Sequence, residues 1–182
     1  MASIRIVLAV AATMTLASPS ANATPQLGAE LTTGAGLIDL RTRSHPKVAY
    51  HLGARFDLLL LRDRAETMAL GPYLDVATTG FDAFESGGGV EWLVPAGDTA
   101  FILSAGAFAR LSHSDSGGVS STVFWGSRSY NYDSVYSLGV GLFLQGRYGF
   151  GDDRQCDAIA GVQIDLEYLA LPFLFAYEAI AH

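Results

Sequence analysis

The chain has 182 residues, half of them hydrophobic and only 16% charged, which is greasy for a single soluble domain of this size. Its formal charge of −7 (18 acids against 11 bases) excludes the basic face that a nucleic-acid binder needs. The single cysteine, Cys156, excludes an intramolecular disulfide.

Residues 1–23 read as a secretory signal. Arg5 carries the early positive charge, Ile6 to Leu16 is apolar, and Ala21-Asn22-Ala23 is an A-x-A cleavage site that leaves Thr24 as the mature start. The apolar run is shorter than the ~20 residues of a spanning helix.

From Gln26 onward the residues alternate. In Gln26 to Leu40, Leu27, Ala29 and Leu31 oppose Gln26, Gly28, Glu30, Thr32 and Gly34. Strand side chains point to opposite faces with a period of two, so each such stretch has one apolar and one small or charged face. After a polar turn around Pro46, Val48 to Leu61 sets Tyr50, Leu52, Ala54 and Phe56 against His51, Gly53, Arg55 and Asp57. Leucines 58 to 61 break the pattern.

Leu70 to Thr79 places Tyr73 and Asp75 opposite Leu74 and Val76. Phe84 to Pro95 places Gly87, Gly89 and Glu91 opposite Val90, Trp92 and Val94. Pro95-Ala96-Gly97-Asp98 reads as a tight hairpin turn into Thr99 to Leu111, where Phe108 is a bulky exception among Ser104, Gly106 and Arg110. Ser112 to Ser121 has the composition of a loop, which leaves Thr122 to Tyr130 as a short sixth strand carrying Arg128. Tyr136 to Phe150 carries Arg147 on its polar parity. Cys156 to Tyr168 sets Asp157, Gln163, Asp165 and Glu167 against Ala158, Ala160, Val162, Ile164 and Leu166.

These eight segments predict an all-β protein, an eight-stranded antiparallel up-and-down transmembrane β-barrel over residues 24–168. A short apolar C-terminal tail, residues 169–182, follows it. Glycine and short acids suit the crowded interior of a small barrel, and the unbroken aliphatic face then meets lipid. Trp92, Trp125, Tyr50, Tyr148 and Tyr168 are candidates for interfacial aromatic girdles. In strand number, strand length and face alternation the chain resembles the small eight-stranded outer-membrane barrels of the OmpA transmembrane-domain and OmpX class. That resemblance implies an outer-membrane location, membrane lipid as the partner and a structural or surface-interaction role. The chain departs from the class in running past Tyr168 to His182 rather than ending on an aromatic residue.

On this parity the lumen holds Glu30, Asp57, Asp75, Glu91, Asp165 and Glu167 against Arg55, Arg110, Arg128 and Arg147, with His51 among them. Charges in a narrow dry space have to be paired, so the reading is a structural network filling the barrel. A sharper alternative places Glu30, Asp165 and Glu167 together where the last strand meets the first, as a site for a shared proton or cations. Two rival functions remain. One is a periplasmic lipocalin-like carrier with the apolar parity turned inward. The other is a lipid A-modifying enzyme using Ser112-His113-Ser114-Asp115, although those residues lack the His-x-Ser spacing of such enzymes. No catalytic, cofactor or metal site is expected: Gly87-Gly88-Gly89 lacks a phosphate-loop context, and His45, His51, His113 and His182 lack ligand spacing.

Overall fold

The computed structural model describes residues 25–40, 46–111, 116–129, 139–150, 155–166 and 168. The expected signal segment, residues 1–23, the Ser112 to Asp115 cluster and residues 169–182 fall outside these. Eight antiparallel strands close into one barrel in sequence order: β1 Gln26–Ile38, β2 Lys47–Leu59, β3 Ala69–Thr79, β4 Phe84–Ala96, β5 Thr99–Leu111, β6 Ser116–Arg128, β7 Gly139–Phe150 and β8 Cys156–Asp165.

Register fixes the geometry. Starting at Glu30, successive partners are Arg55, Asp75, Gly87, Phe108, Gly118 and Gly149, whose amide bonds the Gln155 carbonyl. Closure, however, pairs Glu30 with Asp165. One circuit therefore climbs ten residues along β8, a shear that tilts eight strands by roughly 40°. Call the first end the one where β1 begins, with links 60–68 and 97–98. The second end then carries the links β1–β2, β3–β4, β5–β6 and β7–β8. At the first end, Gly97 takes φ +64° at the opening position of a two-residue hairpin, a conformation glycine adopts without strain.

The sixth strand corrects the expectation from sequence. Residues 116–121 are strand, not loop, and they pair with both β5 and β7. Their glycines make room for the inward ring of Phe108, because a Cβ on Gly118 would press on that ring and on the Tyr148 carbonyl. The other boundaries move slightly: β1 ends at Ile38, β2 at Leu59 and β8 at Asp165, with Leu166 and Tyr168 in helical conformation.

The two faces differ completely. No outward-facing position of the eight strands carries an Asp, Glu, Lys or Arg, and the face presents residues such as Leu74 (60% exposed), Leu142 and Leu144. Aromatic side chains gather on it in two belts. Phe56, Trp92, Phe101 and Trp125 lie toward the first end, with Phe101 paired to Trp125. Tyr50, Phe84, Tyr148 and Phe150 lie toward the second, where Phe81 stacks on Tyr50 with ring centroids 6.0 Å apart. From Phe84 to Val94 the outer face of β4 spans ten residues, about 25 Å of height at that tilt. Hydroxyls on this side find neighbours: Thr33 bonds Tyr50 at 2.6 Å and Thr78 donates to the Ala83 carbonyl at 2.9 Å.

Inside, Leu59, Ala69, Leu93, Ala100, Ile102 and Phe124 form a buried apolar cluster. All six belong to the halves of β2 to β6 nearest the first end, so hydrophobic packing fills that side of the lumen there.

Candidate functional site: the charged lumen

Alternation turns the polar residues of each strand inward, and closure brings those of distant strands together. At the second end, Arg110 donates from Nε to Glu85 at 2.6 Å and from Nη2 to Asp157 at 2.9 Å. Arg147 pairs with the other oxygen of Glu85 and donates from Nε to Gln145 at 2.8 Å. The edge of this knot is tied to the rim, where the Asp39 amide donates to Asp157 at 3.1 Å. Both guanidinium groups lie within 6 Å of the Phe108 ring, at 5.9 and 5.8 Å from its centroid.

Midway, Arg55 donates from Nη2 to Glu91 at 2.6 Å and to Ser104 at 2.7 Å, and its guanidinium stacks 3.8 Å above the Tyr73 ring. Planar stacking and directed donors together suit arginine where lysine would satisfy only the charge.

Toward the first end, Arg128 bonds both oxygens of Asp57, at 2.7 and 2.9 Å, and pairs with Glu30. Glu30 also accepts from Gln163. Asp165 accepts from the Gly139 amide at 3.1 Å and stands directly across from Glu30 in the register. Arg62, from the β2–β3 link, lies beneath this group, buried, donating to Gln26 at 3.0 Å and to the Arg128 carbonyl at 3.0 Å.

His51 sits between two hydroxyls, 3.3 Å from Thr32 and 3.4 Å from Thr79, with the Phe143 ring edge-on at 5.8 Å. Asp75 faces a small cavity of about 20 Å³ with a mixed lining, His51, Arg55, Gln145 and Arg147 on one side and Val76, Ala77 and Phe143 on the other. That is space for a single water.

Of the residues singled out from sequence, ten are therefore inward and placed: Glu30, Asp57, Arg128 and Asp165 in one group, Arg55 with Glu91 in a second, Arg110 with Arg147 in a third, and His51 and Asp75 at the cavity. The side chain of Glu167 falls outside the described residues. Sequence reasoning left Glu85 and Arg62 out altogether, and it put Asp157 on the polar face of the last strand without counting it in the lumen charge network. Glu85 and Asp157 share the polar parity of Glu91 and Asp165, so alternation alone could have found them. Arg62 lies in a link, where parity carries no signal. Among the described residues, no group of three or more His, Cys, Asp and Glu side chains has the arrangement of a metal site. No family model, curated protein or solved structure matches this chain.

Proposed function

We propose that the chain is an outer-membrane β-barrel, exported by residues 1–23, that serves a structural or surface-interaction role rather than a catalytic one, with membrane lipid as its partner. The observation that carries this reading is the sorting of charge: none on the outward positions of the strands, and dense ion pairing within. A water-facing barrel would leave that apolar band exposed, far beyond the few hundred Å² that soluble monomers tolerate. The two aromatic belts and the band height of about 25 Å support the same reading.

A carrier of a hydrophobic ligand needs an apolar cavity of ~300 Å³ or more, whereas the interior here is filled with arginine and carboxylate pairs. The apolar cluster and the ion-pair groups also support a lumen closed to ions.

Fractionation tests the proposal. The protein is expected in the outer-membrane fraction, soluble only in detergent, and migrating differently on gels before and after boiling. Recovery in the soluble periplasm without detergent would reject it.

A further inference from the structure

The seam between β1 and β8 is unequal at its two ends. At the second end the strands stay paired to the rim, where the Leu40 amide still bonds the Cys156 carbonyl. At the first end β8 stops at Asp165, opposite Glu30, and Leu166 and Tyr168 take helical conformation. β1 runs on. Gln26 to Ala29 continue to pair with β2, from Leu59 to Phe56, but among the described residues no strand pairs with their other side. An edge left in this way presents a row of backbone donors and acceptors to an extended segment.

The chain itself supplies a matching segment, because alternation does not end where β8 does. Leu166 has the outward parity of Ile164, Glu167 the inward parity of Asp165, and Tyr168 the outward parity again. Continuing the antiparallel register past Glu30 and Asp165 sets Leu166 against Ala29, Glu167 against Gly28 and Tyr168 against Leu27. A helix that starts at Leu166 has no partners within itself for its first N–H groups, so pairing with β1 competes well for them. Charge opposes the pairing. Asp57 and Arg128 fill the space over Gly28, and Glu30 and Asp165 stand on the same side. An ionised Glu167 arriving there is a fourth carboxylate against Arg128 and the buried Arg62.

From these observations we infer that β8 is a strand of two lengths. Residues 166–168 switch between the helical turn and an extended strand zipped onto the open edge of β1, and Glu167 sets the balance between them. The extended form lengthens the seam that closes the barrel and adds the Tyr168 ring to the outward face beside Leu27. The pairing depends on barrel register alone, so it stands or falls separately from the membrane assignment.

Distance separates the two forms. Three residues of helix advance about 4.5 Å beyond Asp165 and three of strand about 10 Å, so position 168 comes within disulfide range of position 27 only when extended. In the purified full-length barrel on a Cys156→Ser background, Leu27→Cys with Tyr168→Cys should close on oxidation, read as the loss of both free thiols. Leu27→Cys with Leu166→Cys, two residues out of register, should close severalfold more slowly. Adding Glu167→Gln should speed closure of the in-register pair severalfold. Hydrogen exchange reads the same edge without cysteines, even if the paired variants fail to fold. Tyr168→Pro, which cannot complete the ladder, should speed exchange of the Leu27 to Ala29 amides relative to the wild-type chain. Equal closure of the in-register and out-of-register pairs, closure that Glu167→Gln does not speed, or a β1 edge as protected in Tyr168→Pro as in the wild type would overturn the assignment.

Discussion

The two ends of the lumen are closed by different means. At the first end, Leu59, Leu93, Ile102 and Phe124 pack against one another, and beside them Arg128 and the buried Arg62 tie up Glu30, Asp57 and Gln26. At the second end there is no such apolar cluster among the described residues: Glu85, Arg110, Arg147 and Asp157 form a purely polar knot around one ring, Phe108. The difference teaches that a barrel this narrow needs no single kind of filling. What the two ends share is that each buried guanidinium meets a carboxylate, a carbonyl or an amide oxygen.

The sharpest way to break the comparison is at Arg128. Arg128→Leu leaves Glu30 and Asp57 facing each other without their shared cation in a dry space, which should destabilise the barrel by about 3–5 kcal/mol. Urea unfolding in detergent measures it, and a loss below 1 kcal/mol would mean that the carboxylates find other partners. Next comes the apolar half of the same end. Leu93, fully buried, should cost about 3 kcal/mol on truncation to alanine, through lost packing and the cavity left behind. Planar-bilayer recordings on the wild-type barrel and on Arg128→Leu sharpen the point: both are expected to stay silent while the apolar packing is intact.

The second end is probed by Gly118→Ala. The added methyl presses on Phe108 and on the β7 backbone, an overpacking expected to cost about 1–3 kcal/mol. Pairing it with Phe108→Leu should recover part of that loss. Full additivity of the two changes would show that the ring and the glycine are not packed as a unit.

These two ends also explain how much could be read from the sequence. Strand positions and facing were legible because β1, β2, β7 and β8 keep strict alternation through their middles, where the lumen is polar and the outside apolar. The apolar cluster was not recognised, although its signature was present: Leu59, Leu93, Ile102 and Phe124 are apolar residues on the inward parity, so alternation fails at the cluster. Leucines 58 to 61 were noticed as such a break, and the structure gives it meaning, with Leu59 in the cluster and Leu60 bridging to Leu70. The start of β6 was misread because Ser and Gly, which signal a loop by composition, are also what a strand needs opposite an inward ring. The pairing partners of each charge depend on the ten-residue shear, which no local pattern encodes.

Smaller effects are expected at the rims, where water competes. Lys47, the first residue of β2, pairs at 3.0 Å with Asp82 in the β3–β4 link of the second end, but both side chains are more than half exposed. Lys47→Ala should change stability by less than about 0.5 kcal/mol, and less still in high salt.

The counterpart at the first end is Asp63 in the β2–β3 link, whose carboxylate accepts from the Thr67 hydroxyl at 2.5 Å. That hydrogen bond holds the Asp63 carboxyl below the usual aspartate range. A carboxyl depressed in the folded state contributes stability above its ordinary value, and the contribution disappears as pH falls through the lowered one. Thr67→Ala should therefore move the Asp63 titration up toward the value of a free aspartate, as followed by NMR. The unfolding midpoint at neutral pH should fall only slightly, since the group is fully exposed and solvent screens the interaction. A titration that does not move would mean that the link holds Asp63 by some contact other than this hydroxyl.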